Sequence, residues 1–187
     1  MKFDTFGLHP TVAAGAAAAG YQTPTPIQAQ AIPQIMEGQD VMGLAQTGTG
    51  KTAAFVLPIL NRLINGPSGK IRALIIAPTR ELAEQINSDF KHLGRQTRSR
   101  STVVYGGVGI NPQIQDLKRA DIVVSCPGRL LDHINRRTVD LSRLEVLVLD
   151  EADQLFDMGF FPDIRRILQH VPQVGRQTLL FSATMPA

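Results

Sequence analysis

The sequence predicts an α/β domain: a mostly parallel sheet with helices on both faces. Three observations point there. Short apolar runs at 72–77, 121–125 and 144–149 lack the alternation of a half-exposed strand, as strands buried on both faces do. Each is followed by a helical or polar segment, the βα rhythm of a parallel sheet. At 42–52 an apolar run passes into glycines and hydroxyls and then into a helical pattern, the order of a phosphate cradle. Lys51, Arg80, Arg129, Asp150, Glu151 and Ser182 all fall at the carboxyl ends of predicted strands, where such sheets bind ligands.

A length of 187 residues with 43% hydrophobic content suits one domain with a good-sized core. The formal charge of +3 and pI near 9.4 are compatible with a polyanionic partner and are also ordinary for a soluble protein. A single cysteine, Cys126, excludes an internal disulfide and any multi-cysteine metal site, which suits a reducing compartment. The alanine-rich run 12–20 is too short and too weakly apolar to span a bilayer. A cytoplasmic protein without a membrane association is expected.

Residues 1–38 read as a flap on the same domain, and 39–187 as its core. The flap is helical in pattern but interrupted by Thr23-Pro24-Thr25-Pro26, which forces an extended turn before Gln28. An amide can donate and accept at once, as an adenine edge requires, yet taken alone Gln28 is a solvated glutamine. Next come Ala45, Gln46, Thr47, Gly48, Thr49, Gly50, Lys51 and Thr52. Glycines let backbone N–H groups converge on an anion, Lys51 reaches the β- and γ-phosphates, and the Thr52 hydroxyl takes a place on Mg²⁺. The first position is Ala45 where the general pattern has Gly, and a glycine-rich turn capping a helix is the alternative reading.

The helix 51–64 carries apolar residues at helical spacing, with a kink expected at Pro58. After the strand 72–77, Pro78 stops the run and the Thr79 hydroxyl is placed to cap the helix that Arg80 opens. Strand 101–105 ends in Gly106-Gly107, and strand 121–125 in Cys126-Pro127-Gly128-Arg129. Strand 144–149 delivers Asp150-Glu151-Ala152-Asp153: Asp150 is placed to hold Mg²⁺, largely through water, and Glu151 to deprotonate an attacking water. The alternative is a set of acids complementing a helix N-terminus. The last strand, 177–181, ends in Ser182-Ala183-Thr184, hydroxyls that either reach Asp153 or close a local turn.

Together these segments resemble the N-terminal RecA-like domain of DEAD-box RNA helicases. Residues 20–28 are similar to the family's Q motif, with Phe3 at the place of the upstream aromatic that stacks on adenine. Residues 45–52 (AQTGTGKT) are similar to motif I, where the family itself uses Ala first. Residues 78–83 resemble motif Ia, Gly106-Gly107 the paired glycines, 126–129 motif Ib with Cys126 where Thr is usual, 150–153 motif II and 182–184 motif III. The stretch 106–113 and Phe3-Asp4 look most like the bacterial RhlE subgroup.

The resemblance implies ATP and Mg²⁺ as cofactors, with Phe3, Tyr21, Thr23 and Gln28 around the base and residues 45–52 around the phosphates. It implies catalytic roles for Lys51, Asp150, Glu151, Ser182 and Thr184, and a link through Asp153, Ser182 and Thr184 that couples the metal site to a neighbouring surface. Pro78, Thr79, Arg80, Gly107, Pro127, Gly128 and Arg129 are implied to grip RNA by its backbone, without reading its sequence. Family members continue into a second RecA-like domain that brings an arginine to the γ-phosphate. The 187-residue chain alone is therefore expected to be a monomer that binds nucleotide, hydrolyses it very slowly and unwinds nothing. A nucleotide-gated RNA clamp, or another P-loop enzyme such as a small-molecule kinase or DNA translocase, are the competing readings.

Overall fold

The computed structural model describes residues 2–46 and 48–184. A 3₁₀ turn at Phe3–Phe6 is followed by α1 (Pro10–Ala18), α2 (Pro26–Met36), β1 (Val41–Leu44), α3 (Lys51–Leu63), β2 (Ala73–Ile76) and α4 (Arg80–Leu93). Then come β3 (Ser101–Val104), α5 (Ile110–Leu117), β4 (Ile122–Ser125), α6 (Pro127–Asn135), β5 (Val146–Leu149), α7 (Ala152–Asp157), α8 (Phe161–Leu168) and β6 (Gln177–Ser182). The six strands form one sheet in the order β1-β6-β5-β2-β4-β3, and all its pairings are parallel.

The central strands explain their own composition. Along β2, Ala73 and Ile75 pack into one core while Leu74 and Ile76 pack into the other. Along β5, Val146 and Val148 face the first core while Leu147 and Leu149 face the second. Apolar side chains are therefore needed at every position, and the missing alternation is the mark of double burial. The helix α3 runs unbroken through Pro58, which is buried with nearly all the residues around it. Helices α2, α3 and α4 cover the first face, and α6 and α8 pack together over the second.

Residues 2–38 contribute to that first core. Val12, Ala16, Ala31, Ile32 and Ile35 are all buried in it with α3 and α4. Gly15 interrupts the alanine run because α1 crosses α4 so closely that a Cβ there would collide with the Leu93 carbonyl. The amino-terminal edge of the sheet is held by polar ties. Arg72 Nε donates to Glu145 Oε1 at 2.6 Å, and Asp121 accepts from the Gly69 and Arg100 amides at 2.6 and 2.8 Å.

Strand order divides the opposite, carboxyl edge into two halves. The neighbours β1, β6 and β5 carry the phosphate loop, Ser182-Ala183-Thr184 and Asp150-Glu151. The neighbours β2, β4 and β3 carry Pro78-Thr79-Arg80, Cys126 to Arg129 and Gly106-Gly107. Segments far apart in the chain are thus sorted by chemistry along a single edge.

Candidate nucleotide and nucleic-acid site

The phosphate loop leaves β1 tied to the neighbouring strand, since Ala45 N donates to Ser182 O at 3.0 Å. Gly48 (φ 79°) and Gly50 (φ 86°) adopt the left-handed conformation that lets the loop turn into the first residue of α3. The Thr49 hydroxyl donates to Gln46 O at 2.7 Å and closes the turn. Gln46 and Gly48 are exposed, and Thr52 lies half-buried one residue into α3. Thr47 lies outside the described residues.

Lys51 and Asp150 stand on different strands' carboxyl ends with β6 between them, yet Lys51 Nζ lies 3.7 Å from Asp150 Oδ1. Both side chains are nearly sealed, at 6% and 2% exposure, and among the described residues the ammonium has no hydrogen-bond partner. Burial pushes the Asp150 carboxyl up to about 6, against the opposing pull of the Lys51 charge and the Glu151 amide, which donates to Oδ1 at 2.9 Å. A buried ammonium with unused donors is the group that a polyphosphate oxygen would satisfy. One carboxylate and one hydroxyl form a small, all-oxygen donor set that fits a Mg²⁺ ion retaining most of its waters.

Asp150, Glu151 and Asp153 do not form one cluster that could hold an ion. Glu151 takes a left-handed backbone (φ 50°), unusual for a residue with a side chain, and α7 begins at the next residue. That turn carries Asp153 away from Asp150. Among the described residues no three His, Cys, Asp or Glu side chains are arranged to hold an ion. Asp153 Oδ2 instead accepts from the Thr184 amide at 3.1 Å and from its hydroxyl at 3.0 Å, while Ser182 Oγ accepts from Asp153 N at 3.3 Å. Burial works to raise the Asp153 carboxyl, but these Thr184 bonds help hold it below the usual range.

Gln28 is buried, at 1% exposure, where the sequence taken alone suggests a solvated side chain. The reason lies 22 residues on: its Nε2 donates to Gly50 O at 3.1 Å, and its Oε1 accepts from Thr25 N at 2.9 Å. Each end of an amide still has one further hydrogen-bonding position, so one donor and one acceptor remain. Phe3, Tyr21 and Thr23 line one cleft of about 460 Å³. Phe3 is held edge-on by Phe6 and Tyr21, with ring centroids 5.4 and 5.5 Å away.

On the other half of the edge, Thr79 Oγ1 caps α4 by accepting from Leu82 N at 3.3 Å. Arg80 is half-exposed, 3.6 Å from Glu84 and 4.6 Å above the Tyr105 ring. Gly107 (φ 83°) is exposed in the loop after β3, Pro127 is buried at the start of α6 and Gly128 is exposed beside it. Arg129 is largely covered, at 15% exposure, and donates through Nη1 to Val108 O at 3.0 Å. Cys126 stands at the N-cap of α6 without a capping bond, and burial pushes its thiol up to about 11. Sequence reasoning misses Gln113 and His133, whose buried side chains meet behind the glycine loop, because no local pattern marks them.

A sheet with this strand order, a lysine-bearing glycine loop after its edge strand and an acid across the tip of β6 define a P-loop domain of the RecA-like class. Comparison with known proteins carries this further. The sequence profile of the DEAD/DEAH box helicase family matches residues 25–187, and the chain belongs to that family. It is 51% identical over its full length to an ATP-dependent RNA helicase CshA of Limosilactobacillus reuteri, covering 37% of that protein. It is 49% identical over its full length to the DEAD-box ATP-dependent RNA helicase CshA of Bacillus subtilis, covering 38%. The crystal structure of a DEAD box protein from Methanococcus jannaschii matches the whole chain at 39% identity and a TM-score of 0.94, and the chain covers 51% of it. The chain thus spans little more than a third of the curated relatives' length. These relatives carry the CshA name, not the RhlE name suggested by residues 106–113. Among the described residues no helix is long and apolar enough to cross a membrane.

Proposed function

We propose that this chain is the ATP-binding half of an ATP-dependent RNA helicase. The observation that carries the reading is the buried Lys51 ammonium beside Asp150 at the mouth of the glycine loop, without a hydrogen-bond partner among the described residues. Lys51 and the backbone N–H groups of residues 46–50 bind the β- and γ-phosphates, drawn also by the N-terminus of α3. Thr52 and Asp150 would hold Mg²⁺, largely through water, and the ion would neutralise charge on the phosphates. Glu151, half-buried beside the site, orients and deprotonates the attacking water. Gln28 offers its spare donor and acceptor to the adenine edge, and Phe3, Tyr21 and Thr23 seat the base and sugar.

The second half of the edge grips RNA. Pro78, Thr79, Arg80, Gly107, Pro127, Gly128 and Arg129 offer charge, a hydroxyl and backbone N–H groups, a set suited to phosphates and indifferent to base. Asp153, bonded to Thr184 and Ser182, links the acid strand to the tip of β6 and so couples the nucleotide to the surface beyond. In a protein of the relatives' length, a second RecA-like domain in cis completes hydrolysis and strand separation, with an arginine at the γ-phosphate. Such an arginine is worth about 10³ to 10⁵ in turnover in related phosphoryl transfers. The chain alone is a cytoplasmic monomer that binds Mg-ATP and turns it over very slowly. A coupled assay for phosphate release and a strand-displacement assay on the 187-residue chain test this, and RNA-stimulated strand separation would overturn it.

A further inference from the structure

Behind the Gly106-Gly107 turn lies a buried polar network for which neither the nucleotide site nor the phosphate-facing residues account. Gln113 on α5 and His133 on α6 are 6% and 0% exposed, and His133 Nε2 lies 3.1 Å from Gln113 Oε1. An amide oxygen only accepts, so the imidazole carries its proton on Nε2. Its Nδ1, 2.8 Å from Thr138 Oγ1, then accepts from that hydroxyl. Burial first, and the charge of Arg129 second, lower the His133 pKa and keep the ring neutral, consistent with this single tautomer.

The orientation of the Gln113 amide is fixed by partners that have a single role. Arg129 Nη1, 3.4 Å away, can only donate, so the amide oxygen faces it and the amide nitrogen must face an acceptor. That acceptor is the Tyr105 carbonyl, at 3.0 Å. Arg129 Nη1 also donates to the Val108 carbonyl at 3.0 Å. The two ends of the glycine turn are therefore each held by one carbonyl, and the two holding side chains touch each other. The same residue, Tyr105, bears the Arg80 guanidinium on its ring.

We propose that Gln113, oriented by His133, is a positioning residue for RNA: with Arg129 it clasps residues 105 and 108 so that the glycine turn and Arg80 face one backbone phosphate together. The proposal rests on the reading of this edge as an RNA track. Gly106 and Gly107 are exposed and would otherwise sample many conformations, and glycine loses more conformational freedom on ordering than any other residue. The clasp removes that loss from the binding step.

The test uses the 187-residue chain, labelled with ¹⁵N and titrated with oligouridylate. Gln113→Met removes the donor and the acceptor at similar volume. Gln113→Glu keeps an acceptor for His133 and removes the donor to Tyr105. We expect Gln113→Met to weaken oligouridylate binding about 10-fold, the value of roughly one such bond. We also expect it to speed amide exchange at Gly106, Gly107 and Val108 by about as much. Mg-ATP affinity should stay within about two-fold of the parent. Gln113→Glu reads the same quantities should the methionine variant fail to fold. Unchanged oligouridylate affinity in these variants, with Arg80→Ala still weakening it, overturns the clasp and leaves the RNA track standing. Loss of Mg-ATP affinity in parallel also overturns it, since the effect is then general destabilisation. No binding of oligouridylate by the parent chain overturns the RNA reading and the clasp with it.

Discussion

Replacing Gln28 by alanine probes the base and the phosphate loop at once. In the structure the side chain accepts from Thr25 N at 2.9 Å and donates to Gly50 O at 3.1 Å, all within a buried pocket. Truncation leaves the Thr25 amide without its acceptor, while Gly50 O keeps the Ala54 amide at 3.3 Å. Two buried hydrogen bonds at about 1 kcal/mol each give a loss of about 2 kcal/mol. For a chain of this length that is a fall in Tm of about 4–8 °C. The spare donor and acceptor proposed for adenine vanish with the amide, so ADP affinity should fall about 30-fold and the preference for ADP over GDP should disappear. Thermal unfolding by circular dichroism and competition with a fluorescent nucleotide measure both. Gln28→Glu divides the effects, because it keeps the Thr25 bond and sets a second carboxylate oxygen against Gly50 O. An unchanged Tm would show that the two hydrogen bonds carry no weight. A surviving preference for adenine would refute the assignment of Gln28 to the base.

Other expectations separate stability from the site. Arg72→Ala breaks the Glu145 pair at the opposite edge of the sheet; with Glu145 partly exposed the loss is about 2 kcal/mol by urea unfolding, with nucleotide affinity unchanged. Asp150 has a folded-state pKa raised from the ordinary 3.8 to about 6, so its favourable contribution is full below about pH 4 and is lost as pH rises to 6. In metal-free buffer, Asp150→Asn should remove that component, worth at most about 3 kcal/mol between the two limits; identical pH profiles for parent and variant would contradict it. Cys126, with its thiol pushed up to about 11, should react with iodoacetamide at pH 7 far more slowly than free cysteine, and a rate matching free cysteine would place it in solvent.

Much of this architecture is legible locally. The strand cores at 73–76, 122–125 and 146–149 announce themselves because double burial demands apolar side chains throughout. Their first residues do not, since Arg72 and Asp121 border the strands but spend their side chains on ties across the amino-terminal edge. The phosphate loop is legible because its chemistry lies within one contiguous stretch. Gln28 is not, since its burial depends on a carbonyl 22 positions away. The acids of 150–153 sit side by side in a linear reading, and nothing there announces the left-handed turn at Glu151 that stands between Asp150 and Asp153. Gln113 and His133 meet only when α5 and α6 come together, and neither helix carries a mark of it.

The role of the lysine ammonium buried beside Asp150 is tested most directly by a calorimetric titration of the 187-residue chain with ADP and with a non-hydrolysable ATP analogue, with and without Mg²⁺. The predicted result is saturable 1:1 binding that Mg²⁺ strengthens and that Lys51→Ala weakens by about 30- to 100-fold, the worth of a charge-assisted bond to phosphate, with the variant's Tm held. Binding that Lys51→Ala leaves unchanged, with or without the metal, would contradict it.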